Sequence, residues 1–226
     1  MMTDVTEKWR SDRVTAAIYD AGVKHDSVAR LGAWAMWGAD LRRMFTDIAR
    51  LADAPVGASV LDIPCGGGLA FRGLRTGQAV HYVAADISPY MLQRARREAD
   101  RRAVHDAIEF VQADVTALQF ADASFDLCLT YNGLHCLPDP RAALAELVRV
   151  LRPGGTLRGT SCVIGRGPRQ DALIAMLRRA GVFGNTARTG EIEEWLKEFG
   201  LDVVTLERSG AVEFFEARLP FRNEAH

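Results

Sequence analysis

Residues 60–68 constrain the fold of this chain more than any other segment, because they read V-L-D-I-P-C-G-G-G. An apolar strand runs into an acid and then into three glycines. Glycine has no Cβ, so Gly66 to Gly68 can turn tightly at positive φ and let a ligand approach the main chain closely. The amides at the start of a following helix would face that ligand. The segment therefore predicts a strand, a loop and a helix that together hold a nucleotide-like ligand.

The length and composition are those of an ordinary globular protein. The chain has 226 residues, of which 48% are hydrophobic and 25% charged. We expect a single domain over residues 1–226, with a helical cover at 1–54 and a cofactor-binding core at 55–226. The formal net charge of −1 provides no field that would gather a polyanion, so no nucleic-acid partner is expected.

Neither a membrane segment nor a metal site is indicated by the sequence. The first residues contain no apolar stretch behind a basic start, and no window reaches the run of about 18 apolar residues that a spanning helix needs. We therefore expect a cytoplasmic protein with no membrane partner. The four cysteines form no C-x-x-C pair, which predicts reduced thiols and no metal site.

Alternating apolar and amphipathic segments follow from Val56 onward, as expected for successive strands and helices of a parallel sheet. The pattern predicts strands at 59–63, 80–85, 108–112, 125–131 and 156–163. The pairs Ser88-Pro89 and Asp139-Pro140 each place a capping side chain before a proline, which predicts the start of a helix.

The last third of the chain predicts helices at 169–180 and 191–199 and strands at 201–207 and 211–218. The link between these two strands is too short for a parallel crossover, so they must pair antiparallel. We predict a Rossmann-like, doubly wound α/β fold whose mostly parallel sheet ends in this hairpin. The N-terminal cover shows no strand signal but contains Trp9, Trp34 and Trp37, which we interpret as helix packing rather than as a substrate cage.

Three acids are expected to meet at one crevice. Asp86 and Asp114 each end a predicted strand, as Asp62 does, and the carboxyl ends of parallel strands open on the same side of a doubly wound sheet. Asp62 could order the loop and meet a cationic amino group. Asp86 lies 18 residues after Gly68, near the spacing at which a carboxylate binds ribose hydroxyls, and Asp114 could reach an exocyclic base amine. Such a crevice suits a nucleoside with a positively charged appendage.

These motifs resemble the class I S-adenosylmethionine-dependent methyltransferases over residues 56–163. The family loop reads acid-x-G-x-G-x-G, and D-I-P-C-G-G-G at 62–68 is similar to it, with Pro64 in place of the first glycine. The segment L-R-P-G-G-T-L at 151–157 resembles the family's turn after a helix. The resemblance implies seven strands, with the last one inserted antiparallel. Among subgroups, the chain looks most like type 11 methyltransferases related to ubiquinone and menaquinone biosynthesis enzymes.

The resemblance also implies a cofactor, a partner and a set of site residues. The cofactor would be S-adenosylmethionine, the product S-adenosylhomocysteine, and the partner a small molecule with an O, N or C nucleophile. Asp86 would bind the ribose diol, and Asp114 with Val115 would meet the adenine amine. Because proline has no amide donor, Pro64 leaves the loop amides of Cys65 onward to serve the cofactor. The full cofactor-binding set implied is Tyr19, Asp62, Pro64, Cys65, Gly66, Gly68, Asp86, Ile87, Met91, Asp114, Val115 and Asn132.

The segment 131–138 follows the fourth strand, where the family places residues near the methyl group and the substrate. His135 in this segment is the candidate catalytic residue, because an imidazole with a pKa near 6.5 suits proton removal at neutral pH. A buried, hydrogen-bonded structural histidine is the alternative interpretation of the same residue.

Three alternatives to the small-molecule enzyme can be stated. A nicotinamide- or flavin-binding domain would show G-x-G-x-x-G, but Phe71 occupies the third glycine position when Gly66 and Gly68 take the first two. Nucleic-acid amino-methyltransferases usually show a Pro-Pro-aromatic motif after the fourth strand and arginine methyltransferases a pair of glutamates, and residues 131–140 contain neither. A catalytically inactive sensor or scaffold would keep the cofactor pocket and lose turnover.

Overall fold

The computed structural model describes residues 5–11 and 26–221. Tyr19 lies outside these residues. The helices are α1 (Val5–Ser11), α2 (Asp26–Trp37), α3 (Arg42–Ala49), α4 (Pro89–Arg102), α5 (Pro140–Val150), α6 (Pro168–Arg179) and α7 (Glu191–Glu198). The strands are β1 (Ser59–Asp62), β2 (His81–Asp86), β3 (Ile108–Gln112), β4 (Phe125–Tyr131), β5 (Leu151–Cys162), β6 (Asp202–Ser209) and β7 (Val212–Arg218).

The seven strands form one sheet in the order β3-β2-β1-β4-β5-β7-β6. Strands β1 to β5 run parallel, whereas β7 pairs antiparallel with both β5 and β6. The sheet order places β1 and β4 side by side at the centre of the sheet, and the other strands extend from them in opposite directions. The doubly wound fold with an antiparallel C-terminal hairpin is therefore confirmed.

Helices cover both faces of this sheet, and each face has its own apolar core. One core contains Met44 and Ile48 of α3 together with Leu92 and Ala95 of α4. The opposite core contains residues of α5 and α7, such as Leu144 and Ile192. A parallel sheet buried on both faces explains why its strands read as nearly continuous apolar runs. None of the described helices combines the length and apolar character that crossing a bilayer requires.

The capping signals act as the sequence predicts. The Ser88 side chain accepts a hydrogen bond from the Met91 amide at 3.4 Å, and Asp139 Oδ1 accepts one from the Ala142 amide at 2.9 Å. In both cases proline occupies the first helical position, where its missing N–H costs nothing. These two helices therefore begin where the strands β2 and β4 deliver the chain to one edge of the sheet.

Two elements differ from the sequence-based prediction. Strand β5 begins at Leu151 rather than near residue 156, because Leu151 pairs with Phe125 across a register shift in β4. The glycine loop is followed by a short 3-10 helix, Leu69–Gly73, and not by an α-helix whose first turn could serve a ligand. The ligand-facing amides must therefore come from the loop itself.

Candidate functional site

A cleft of about 940 Å³, counting its open mouth, lies at the carboxyl ends of β1, β2, β3 and β4. Its lining brings together nine of the residues that the sequence predicts: Pro64, Cys65, Gly66, Asp86, Ile87, Met91, Asp114, Val115 and Asn132. Asp62, Gly68 and His135 are not part of the lining. The cleft thus unites the glycine loop, two of the three acids and the start of the loop after β4.

The glycine loop is held against β2 by its own backbone. The Cys65 amide donates to the Ala85 carbonyl oxygen at 2.8 Å, and the Gly66 amide donates to Asp86 Oδ2 at 2.9 Å. Gly66 has a φ of +53°, and a Cβ built on it would meet nothing within 4 Å. Glycine at this position therefore provides a left-handed turn and leaves main chain open on the cleft side.

Asp86 is a buried carboxylate that shapes the loop. Its Oδ1 accepts from the Ser88 amide at 2.9 Å, while its Oδ2 holds Gly66. Burial raises the pKa of Asp86 to about 6, although the hydrogen bonds from Ser88, Gly66 and Ile87 act in the opposite direction. Each carboxylate oxygen has two lone pairs, so Asp86 can still accept hydrogen bonds from hydroxyl groups of a ligand in the cleft.

Asp62 is not on the cleft wall, contrary to the expectation that three acids line one crevice. Its Oδ2 accepts a hydrogen bond from the Tyr82 hydroxyl at 2.8 Å, because Val60, Asp62 and Tyr82 project from the same face of the paired strands β1 and β2. Burial and the nearby Asp86 charge raise the pKa of Asp62 to about 7, against the Tyr82 hydrogen bond. Asp62 therefore lies behind the cleft wall, bonded to Tyr82 and within electrostatic range of Asp86.

Gly68 likewise has a packing role that the motif does not reveal. Its φ is +85°, and a Cβ there would collide with the ring of Phe71. Phe71 is fully buried and contacts the Tyr82 ring edge-on at a centroid distance of 5.6 Å. The third glycine of the loop therefore makes room for an aromatic core residue.

Asp114 lies on the cleft after β3, in a small turn of its own. Its Oδ1 accepts from the Thr116 amide at 2.9 Å and from the Thr116 hydroxyl at 2.7 Å. The carboxylate is half-buried and keeps lone pairs for a further donor. Together with Ile87, Met91 and Val115, it gives this end of the cleft apolar walls and one acidic edge.

The loop after β4 begins with Asn132 in the left-handed region, at a φ of +57°. Gly133 follows, and a Cβ on Gly133 would collide with the Pro64 ring, so the loops after β1 and β4 touch at this point. Residues 184 and 185 support the loop from outside, since the Gly184 amide donates to the His135 carbonyl at 2.9 Å and the Asn185 amide to the Leu137 carbonyl at 2.8 Å.

His135 is placed in the core, and the expectation of a base at the cleft is not supported by this position. Its Nδ1 accepts a hydrogen bond from the Cys162 amide at 3.1 Å, and its ring contacts Phe183 at a centroid distance of 4.4 Å. Burial lowers the pKa of His135 to about 3. The imidazole is therefore neutral at physiological pH. It accepts a hydrogen bond from a backbone amide of β5 and so joins β5 to the loop after β4.

Several residues of the cleft were not singled out by the sequence. Thr6 and Trp9 of α1 form one side of it, and the Trp9 indole N–H donates to the Val182 carbonyl at 3.0 Å. The only sequence signal was the aromatic content of the first 55 residues, which we interpreted as packing. Tyr131 and the segment 136–138 complete this side, which is largely apolar.

Comparison with known proteins matches the segment that contains most of the cleft residues. Residues 61–158 match the model of a methyltransferase domain family, Methyltransf_11. The chain is 46% identical over 107 residues to a demethylmenaquinone methyltransferase of Clavibacter sepedonicus, covering 47% of this chain and 42% of that protein. It is 30% identical over 169 residues to methyltransferase GfsG of Streptomyces halstedii, covering 73% and 60%. The chain thus spans about half the length of these relatives.

The fold is also shared with solved structures. A SAM dependent methyltransferase from Aquifex aeolicus superimposes with a TM-score of 0.59 at 18% identity, covering 83% of this chain and 93% of that one. The matched segment 61–158 contains most of the residues that line the cleft at the carboxyl ends of the central strands. Residues 61–158 of this chain are therefore similar to the type 11 methyltransferase domain, and the chain as a whole shares the fold of the solved structures.

Proposed function

We propose that this protein binds S-adenosylmethionine in the cleft and transfers its methyl group to a small, largely apolar molecule. The observation that carries the proposal is the Asp86 carboxylate, which is largely buried, is fixed by the Gly66 and Ser88 amides and lines the cleft within the segment that matches a methyltransferase domain. The cofactor supplies an electrophilic methyl group on a sulfonium, which is a good leaving group. The protein's task is then chiefly to hold donor and acceptor in line in a dry pocket.

The chemistry of the lining residues fits this cofactor. The open main chain at Gly66 admits a ligand at close range, and Asp86 has acceptor capacity for a ribose diol. Ile87, Met91 and Val115 supply an apolar slot for a purine, beside the Asp114 carboxylate that would accept from its amine. Asp62 would act on the cofactor indirectly, through its negative charge behind the loop. Tyr19 stays a prediction, because it lies outside the described residues.

We propose a lipophilic acceptor because the remaining side of the cleft is lined by aromatic and apolar residues. Trp9, Tyr131, Leu137 and Pro138 line it, whereas the two acids of the cleft lining, Asp86 and Asp114, belong to the proposed cofactor end. Relatives that bear the name demethylmenaquinone methyltransferase support a small-molecule acceptor. Apolar walls reject charged acceptors, because burying an unpaired charge is costly. A single domain, a cytoplasmic location and the absence of nucleic-acid and membrane partners stay predictions.

Calorimetric titration with S-adenosylmethionine tests the cofactor assignment. We expect Asp86→Asn to weaken binding at least 10-fold, since an amide cannot accept from both loop amides and a diol as a carboxylate does. The matched control is Asp106→Asn, because Asp106 is an exposed acid away from the cleft, and its affinity should stay within about twofold of wild type. Equal affinities for wild type and Asp86→Asn would contradict the assignment.

Turnover is tested separately, by release of S-adenosylhomocysteine in the presence of phenols, quinone precursors and amines. We expect release with uncharged aromatic acceptors and little with charged amines. Tight cofactor binding without release from any acceptor would favour a sensor or scaffold instead.

A further inference from the structure

Thr160 of β5 makes an unusual set of contacts with Asn132 at the edge of the cleft. Its hydroxyl donates to Asn132 Oδ1 at 2.9 Å and accepts from the Asn132 backbone amide at 3.0 Å. The Thr160 carbonyl lies 3.0 Å from the same amide nitrogen. Thr160 is fully buried, whereas Asn132 lines the cleft. A single threonine thus holds both the backbone and the side chain of the cleft residue.

These contacts fix which end of the Asn132 carboxamide is turned toward β5. The carbonyl oxygen accepts from the Thr160 hydroxyl, and the amide nitrogen lies 3.5 Å from Met44 Sδ of α3, which is itself 3.9 Å from Thr160 Oγ1. Thr160 and Met44 are both fully buried, so they hold the carboxamide from the core side.

The same contacts hold the turn by which the chain leaves β4. Asn132 adopts a φ of +57°, a left-handed conformation that asparagine tolerates better than most other non-glycine residues. Thr160 reaches this turn from the neighbouring strand, since Tyr131 and Thr160 are paired in the β4–β5 ladder.

We propose that Thr160 is a positioning residue of the methyltransferase site, which sets the orientation of Asn132 for contact with the bound cofactor. The inference rests on the proposed function, because it assigns Asn132 to the cofactor. Thr160 itself is buried behind Asn132 and is not part of the cleft lining. Its effect on binding must therefore pass through Asn132.

Thr130 provides a matched control on the adjacent strand. It is also fully buried, but its hydroxyl has no hydrogen-bond partner in the part of the chain that the structure describes. Replacing it with valine keeps the shape of the side chain and removes a hydroxyl that makes no bond. Thr130→Val thus reports the effect of a buried Thr-to-Val change that does not touch Asn132.

The test compares full-length wild type, Thr160→Val, Thr160→Ser and Thr130→Val by titration with S-adenosylmethionine, alongside thermal melts. We expect Thr160→Val to weaken binding about 10-fold, as loss of a hydrogen bond to a site residue does. Thr160→Ser keeps the hydroxyl and should restore affinity to within about threefold, and Thr130→Val should bind like wild type. Wild-type affinity in Thr160→Val, or an equal loss in Thr130→Val, would overturn the inference.

A double-mutant cycle separates positioning from a purely structural role. In an Asn132→Ala background, Thr160→Val should cause no further loss of affinity, because the residue through which it acts is gone. An additional loss of the same size would show that Thr160 acts independently of Asn132 and would also overturn the inference. Failure of the wild type itself to bind S-adenosylmethionine is a different result, since it removes the proposed function together with this assignment.

Discussion

At the scale of single residues, the buried acids Asp62 and Asp86 determine the pH dependence that we expect of ligand binding. Burial raises the pKa of these carboxyl groups to about 7 and about 6, so each is partly protonated in the free protein near pH 6 to 7. A ligand that carries a sulfonium and donates hydroxyl hydrogen bonds favours the ionised carboxylates. Affinity for S-adenosylmethionine should therefore rise between about pH 5 and pH 8, and binding should release protons.

Calorimetry in two buffers of different ionisation enthalpy measures this proton release. Asp86→Asn should reduce the number of protons released at pH 6, because one of the two groups no longer titrates. Affinity that does not change between pH 5 and pH 8 would contradict the linkage.

The pKa of His135 is shifted in the opposite direction to the pKa values of Asp62 and Asp86. Its pKa falls from 6.5 to about 3 on folding, so between these values the unfolded chain binds a proton that the native state does not. The contribution of His135 to stability is therefore complete above about pH 6.5 and is lost as the pH falls toward 3. Imidazole ¹⁵N shifts should show a neutral His135 in the folded protein at pH 5 and a charged one in urea. A folded-state titration near pH 6 would contradict this assignment.

At the scale of elements, the contact between the loops after β1 and β4 shapes the cleft. A Cβ on Gly133 would collide with the Pro64 ring, so Gly133→Ala must push the two loops apart. We expect a loss of about 1–3 kcal/mol in the free energy of unfolding and weaker cofactor binding. Gly32 of α2 is the control, because a Cβ there meets nothing within 4 Å and alanine should stabilise the helix by about 1 kcal/mol. Urea unfolding measures both, and equal effects would refute the steric argument.

Element boundaries were predictable where local chemistry decides them. Strands β3 and β4 fall at the predicted residues, and the capped starts of α4 and α5 follow from Ser88-Pro89 and Asp139-Pro140. The start of β5 was not predictable, since Leu151 becomes a strand residue only by pairing with Phe125. The 3-10 helix after the loop packs closely against α3, since a Cβ on Gly73 would collide with the Ile48 carbonyl, and no local pattern announces that contact.

At the scale of the whole molecule, one ionic contact joins the N-terminal helices to the last strand. Glu216 of β7 is buried and binds the Arg50 guanidinium after α3, and Arg158 of β5 lies 3.3 Å from it. Glu207 binds Arg43 of α3 in the same way, but its side chain is 52% exposed. Glu216→Gln should therefore cost about 1–3 kcal/mol, since it removes the counter-charge of Arg158, whose side chain is 13% exposed, and one charged partner of the more exposed Arg50. Glu207→Gln should cost less than about 1 kcal/mol.

Chemical denaturation of the two variants measures this difference. Equal costs would mean that burial does not distinguish the two pairs. The comparison is well matched, because both glutamates contact α3 or the turn that follows it and both lie in the C-terminal hairpin.

The site was predictable as far as it is written along one stretch of chain. Asp86 and Gly66 follow from the loop motif and its spacing, and both line the cleft. Asp62 belongs to the same motif, but which way its side chain projects depends on Tyr82 in the neighbouring strand. Trp9 and Thr160 reach the site from 57 residues before Gly66 and 28 residues after Asn132. No local pattern marks such residues, because only the folded arrangement brings them near.

The grip of Asp86 on the Gly66 amide has a consequence for how relatives should be compared. The acid maintains the shape of the loop whether or not any reaction takes place. A relative that lost its chemistry would still need this acid for the shape of the loop. Retention of the acid in a distant relative is therefore evidence of a shared fold. Evidence of catalysis has to come from the residues on the side of the cleft that is proposed for the acceptor.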